Sequence, residues 1–143
     1  MTWSEIALRL GAAALIGAVI GLDRELRHKS AGFRTIGLVT LASAFVTLLV
    51  TITSIDIAAP SRVVQGILTG IGFLGAGVIV RHRGTVEGLT TAASIWAAAG
   101  LGAGAGLGAW QLVVIGAGLA LVLLVLAGRI EHHLKHPGDP HQV

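Results

Sequence analysis

The stretch GLTTAASIWAAAGLGAGAGLGAWQLVVIGAGLALVLLVLAG, Gly88–Gly128, holds 41 residues and not one Asp, Glu, Lys, Arg or His. At 1.5 Å per helical residue it reaches roughly 60 Å, about twice the hydrocarbon thickness of a bilayer. No soluble core needs such a run, so the chain reads as an integral membrane protein. Composition agrees: 54% of the 143 residues are hydrophobic, 12% are charged, and mean hydropathy is +0.85. With no Cys there is no disulfide, thiolate nucleophile or thiolate-held metal, and packing must hold the fold. The 21 glycines suit helices that approach closely in lipid.

Outward from that stretch, charges and turn residues divide the chain into five apolar spans, about Ile6–Leu22, Thr35–Ile55, Val63–Val80, Leu89–Ala109 and Leu112–Gly128. The expected fold is all-α, a bundle of five transmembrane helices over residues 1–131, with residues 132–143 as a flexible cytoplasmic tail. The first span lacks a basic leader and reads as a retained helix, with Glu5 and Arg9 one turn apart and able to pair. Eight of the ten Lys and Arg residues fall between spans one and two, between three and four, or after five. The positive-inside rule therefore puts those segments in the cytoplasm and the N-terminus outside, with Trp3 and Trp110 at the outer interface. The basic pI of about 10.7 is thus a topology signal, and nucleic acid is excluded as a partner.

Glycine spacing suggests how the helices pack. In span three, Gly66, Gly70 and Gly77 share one side, while Gly72 and Gly75 lie opposite, so this helix is expected at the centre of the bundle. Span four offers Gly100, Gly104 and Gly108, a density that also threatens to break its helix, and span one offers Gly17 and Gly21. Gly70, Gly72 and Gly75 spell the dinucleotide fingerprint, but on an apolar helix with no preceding strand the motif reads as helix packing. The Leu- and Val-rich fifth span is expected to face lipid. Sliding the chain by 56 residues matches Gly21 with Gly77, Arg27 with Arg83, Gly32 with Gly88, Thr35 with Thr91 and Ala42 with Ala98, a weak parallel repeat.

Two polar clusters carry the candidate chemistry. The first loop holds Asp23, Arg24, Glu25, Lys29, Arg34 and Thr35, and the second holds Glu87, Thr90 and Thr91. Spans two and four both start on this side, so their unpaired N–H groups face the same compartment, with Thr35 and Thr90 as candidate N-caps. Three readings stay open: a salt-bridge and capping network, recognition of an anion or partner, and a cation site in which Asp23 and Glu25 hold Mg2+. No other cofactor is expected. Within the membrane, Gln65 and Thr69 mark the only candidate path, and no ionisable side chain lies near the midplane. That argues against an ion-coupled pump, and no catalytic constellation points to an enzyme.

These residues closely resemble the MgtC/SapB family of bacterial inner-membrane proteins. The resemblance rests on GLDRELRHKSAGFRT (Gly21–Thr35), LVTLASA (Leu38–Ala44), RVVQGILTGIGFLGAGVIV (Arg62–Val80), VEGLTTAASIWAAAGLGAGAG (Val86–Gly106) and RIEHHL (Arg129–Leu134). Asp23 stands where the family more usually has Glu. The resemblance implies a five-helix domain that assembles as a homodimer and serves adaptation to magnesium limitation and acid stress and survival inside host cells. It also implies restraint of the F-type ATP synthase by contact within the membrane. Many members carry a soluble domain after the last helix; the expectation here is the transmembrane domain alone. The rival expectation is a transporter or channel for Mg2+ or a small solute along span three. A third is a lipid or small-anion sensor at the paired helix N-termini. Charge reversal at Arg24 and Arg34 is expected to abolish partner inhibition and leave folding largely intact.

Overall fold

A computed structural model describes residues 1–82 and 85–134. Its helices are α1 (Trp3–Leu26), α2 (Phe33–Thr53), α3 (Ala59–Val78), α4 (Leu89–Leu107) and α5 (Trp110–Leu134). Each expected span has its helix, and the all-α membrane bundle is the observed architecture. By length and apolarity α1, α2 and α3 could each cross a bilayer, and α5 supplies a shorter apolar helix over Trp110–Leu126. Between α3 and α4 the expected loop is instead a small antiparallel hairpin, β1 (Val80–His82) and β2 (Thr85–Glu87), with Arg81 opposite Val86. Three-residue strands are too short for alternation to distinguish them from a loop. Arg83 lies outside the described residues, as does most of the expected tail; α5 itself continues to Leu134.

The centre of the bundle belongs to α4, not to α3. Helix α4 packs against α1, α2, α3 and α5, and its buried residues include Ile95, Ala98, Ala99, Gly102, Ala103 and Gly106. In α3 only Gly75 is buried, and a Cβ added at Gly66, Gly70, Gly72 or Gly77 would touch nothing within 4 Å. The expectation of a central third helix failed because small residues permit close approach without saying which neighbour makes it. The glycines where two helix backbones come closest are Gly102 and Gly106, at which a Cβ would run into the Thr40 and Ala44 carbonyl oxygens of α2. Gly100 faces open space, and Gly104 abuts Val113 of α5. Across the α1–α2 pair, Gly17 lies against Thr40 and the Ile36 carbonyl, and a Cβ at Gly21 would sit 2.7 Å from the Phe33 Cα. Alanine and isoleucine complete the core, with Ile20, Ala31, Ile36, Ile95 and Ala98 in one cluster and Ala13, Ala44, Ala105 and Val113 in another. In lipid, where apolar burial no longer drives association, this backbone-close packing is the main source of cohesion.

Despite its glycines, α4 stays helical to Leu107, and Gly108 (φ 77) ends it in the left-handed region. The Gly108 and Ala109 N–H groups close the terminus onto Ala105 and Gly104 oxygens. Arg9, paired with Glu5 at 2.6 Å, donates to the Gly106 carbonyl at 2.8 Å. A cation on the last carbonyls of a helix is favoured by the helix dipole. This contact also brings the start of α1 beside the α4–α5 turn. At the opposite end of the bundle stand the α1–α2 turn, the hairpin and the start of α4.

Candidate functional site

The polar end is organised by α1 continuing one turn past its apolar span. Asp23 and Arg27, four residues apart, then face each other, and Arg27 Nε donates to both Asp23 oxygens at 3.0 and 3.1 Å. Arg24 points the other way, into the bundle. It is 2% exposed, and its Nη2 donates to Thr91 Oγ1 of α4 at 2.5 Å. Its Nε is buried with no acceptor. The ion pairs among the described residues are Glu5–Arg9, Asp23–Arg27 and Asp56–Arg62, so this guanidinium has a hydroxyl for its hydrogen-bond partner and feels the Asp23 carboxylate only at longer range. A buried cation in that state is costly unless something else balances it.

Helix α1 ends in a Schellman closure, with the His28 N–H on the Glu25 oxygen and the Lys29 N–H on the Arg24 oxygen, each at 3.0 Å. His28 occupies the left-handed position (φ 53) where glycine is usual. The turn returns Glu25 to the start of α2, where its Oε2 accepts from the Phe33 N–H at 2.9 Å. A carboxylate therefore sits on the positive end of α2.

The start of α4 is built differently. Gly88 has φ 88, and a Cβ there would collide with the Val78 carbonyl oxygen, so only glycine lets the hairpin turn so closely into the helix. No side chain caps this terminus. The first intrahelical bond runs from the Ala92 N–H to the Gly88 oxygen, which leaves the N–H groups of Leu89, Thr90 and Thr91 ahead of it. These residues line a cleft of about 760 Å³. His28, Lys29 and Ser30 of the α1–α2 turn and Val80, Thr85 and Glu87 of the hairpin line it as well. A second hollow of about 460 Å³ adjoins it across the same turn, around Gly32, Arg34 and Thr35.

The structure therefore brings Lys29, Glu87, Thr90 and Thr91 together and sets Arg34 and Thr35 in the neighbouring hollow. It moves Arg24 from the expected loop surface to the interior, where charge reversal could not leave folding intact. The N-caps are Gly32 and Gly88 rather than Thr35 and Thr90; at Gly88 the positive φ and the Val78 carbonyl leave room only for glycine, whereas Gly32 sits against the Glu25 side chain. Asp23 and Glu25 point to different partners, and no group of three His, Asp or Glu residues among the described ones could hold a metal ion. Gln65 and Thr69 lie exposed on α3, with the Thr69 hydroxyl donating to the Gln65 carbonyl at 2.8 Å. Sequence reasoning missed Gly102, Gly106 and the Arg9 cap. The spacing of Ser94, Ala98, Gly102 and Gly106, every fourth residue, was the available signal.

Comparison with known proteins follows the same residues. The model of the MgtC family matches residues 10–133. The chain is 44% identical to Protein SrpB of Synechococcus elongatus over 135 residues, 85% of this chain and 74% of that protein. It is 48% identical to Protein MgtC of Salmonella typhimurium over 94 residues, 66% of this chain and 40% of that protein. To Protein SapB of Bacillus subtilis it is 44% identical over 109 residues, 68% of this chain and 45% of that protein. The chain thus spans less than half the length of the last two relatives. No solved structure matches it.

Proposed function

Because the chain belongs to the MgtC family of membrane proteins, we propose that it is a non-enzymatic regulator acting by protein–protein contact in the bacterial cytoplasmic membrane. In this reading it is multi-pass, with five spans, the N-terminus outside and the polar end in the cytoplasm. It forms a homodimer, and the unpacked glycine face of α3 (Gly66, Gly70, Gly77) is the natural seam. Its role is adaptation to magnesium limitation, acid stress and life inside host cells, with the F-type ATP synthase as the family-implied target.

One observation carries this reading. Most of the charged groups gather at one end, while Gln65 and Thr69, the residues of the rival transport path, sit on an outward face of a peripheral helix. A partner would meet Lys29, Arg34 and Glu87 at the surface. The test is ATP-driven proton pumping in inverted membrane vesicles, with the chain added or omitted. Pumping is expected to fall with the native chain and to recover by more than half with Arg34→Glu. Unchanged pumping, together with Mg2+ or solute flux in liposomes that is lost in Gly72→Leu, would overturn the reading in favour of transport.

A further inference from the structure

We propose that the α2–α3 turn, residues 54–58, is an interfacial anchor that sinks Ile55 and Ile57 into the lipid leaflet at the end of the bundle opposite the cleft. The inference rests on α2 and α3 crossing the bilayer and on nothing in the regulatory contact. Most exposed apolar side chains lie along helices, where hydrocarbon covers them. Ile55 and Ile57 lie in a connection instead, and at 101% and 97% they are the most exposed large hydrophobic residues among those described. Left in water, two such side chains would forfeit the free energy gained on leaving it.

Position says what covers them. Helix α2 has 21 residues and reaches about 31 Å, and α3, with 20, about 30 Å, each the thickness of a hydrocarbon core. The turn between them is therefore held at the membrane boundary. Trp3, 89% exposed, begins α1 at the same end, where an indole marks the headgroup layer. The turn also asks little of water. Ser54 ends α2 in an extended conformation, and its Oγ accepts the Asp56 N–H at 3.1 Å. Asp56 takes the Ala58 N–H on one carboxylate oxygen at 2.8 Å and Arg62 on the other, and its carbonyl takes the Ala59 N–H at 3.0 Å. The carboxylate thus carries its own counter-ion, and lowering the turn to headgroup level strands no lone charge. With the polar groups of Asp56 engaged inside the turn, the side chains presented outward are apolar, which suits a lipid leaflet better than a specific protein partner.

The chain has no cysteine of its own, so a bimane label at Ala58→Cys reports on the turn with both isoleucines in place. The full chain is placed in phosphatidylcholine nanodiscs, which leave both faces open and contain no partner. Quenching by iodide in water is compared with quenching by lipid carrying a shallow nitroxide. A label at Phe45→Cys, about 12 Å into the bilayer from the end of α2, serves as the reference for spanning. The Ala58→Cys label is expected to be quenched by the lipid nitroxide and to be severalfold less open to iodide than the same label on glutathione. Ile55→Ser with Ile57→Ser, both at exposed positions, is expected to restore most of the iodide quenching. Free access of iodide to Ala58→Cys while the Phe45→Cys label is quenched by lipid overturns this proposal alone. Shielding from both quenchers means that protein covers the turn, and it overturns the proposal too, as does equal access with and without the isoleucines. Free access of iodide to Phe45→Cys takes down the spanning arrangement and the anchor together.

Discussion

The starts of α2 and α4 correspond under the 56-residue shift, with Gly32 answering Gly88 and Thr35 answering Thr91, yet they are finished in opposite ways. Both begin at a glycine beside a basic connection, on the same end of the bundle. At α2 the chain supplies its own anion, the Glu25 carboxylate on the Phe33 N–H. The residue that answers Glu25 is Arg81, an exposed cation on β1. No side chain caps the positive end of α4, and Arg24 is buried beside it on Thr91. One terminus is closed by a carboxylate and the other carries no side-chain cap.

The sharpest way to break the comparison is at the two glycines. Gly88→Ala forces a side chain into the left-handed region and into the Val78 carbonyl, and is expected to cost ~3 kcal/mol or more. At Gly32, with φ −105, an added Cβ meets only the Glu25 side chain, its Oε2 at 2.7 Å and its Cβ at 3.2 Å, and Gly32→Ala is expected to cost ~1 kcal/mol. Chemical denaturation in mild detergent compares them, and equal losses would mean that the two turns are not different in kind.

Next come the two arginines. Arg24→Ala leaves a cavity and an unpartnered Thr91 in the interior and is expected to cost about 2–3 kcal/mol, whereas exposed Arg34→Ala stays within about 0.5 kcal/mol. Thermal unfolding of the pair reads the difference. The caps themselves can then be exchanged. Glu25→Gln should remove about 1 kcal/mol from α2. Denaturation of the native and Glu25→Gln chains reads this loss, and unchanged stability would mean that the Glu25 carboxylate does not cap α2.

A smaller gain is expected from His28→Gly, about 0.5–1 kcal/mol, because glycine adopts φ 53 without strain. Smallest is the effect at the far end of the bundle. The Ala58 N–H and then Arg62 hold the exposed Asp56 carboxyl below its ordinary value. Its contribution is present above the unfolded value of about 4 and fades as pH falls through the lower folded one. The melting temperature of the native chain should exceed that of Asp56→Asn above about pH 4 and converge on it as pH falls further, and a gap that does not depend on pH would refute the assignment.

Much of the molecule was legible in advance for a local reason. Hydropathy over each span, the cations at alternate connections, and the four-residue spacing of Glu5 and Arg9 are properties of neighbouring residues, and the helices and that ion pair follow from them. The hairpin was illegible because three residues per strand carry no period. Which helix takes the centre was illegible because it depends on distant surfaces: Gly102 and Gly106 matter only because Thr40 and Ala44 of α2 arrive against them.

The residue types alone determined that this protein lives in lipid, that it is helical, and that its charges collect at the connections, since hydrocarbon tolerates neither unpaired backbone nor unpaired charge. Tertiary structure alone decided that α4 is the axis, that Arg24 turns inward to Thr91, and that α2 is capped while α4 is open. Those outcomes depend on contacts between residues tens of positions apart, where geometry rather than composition chooses the partner.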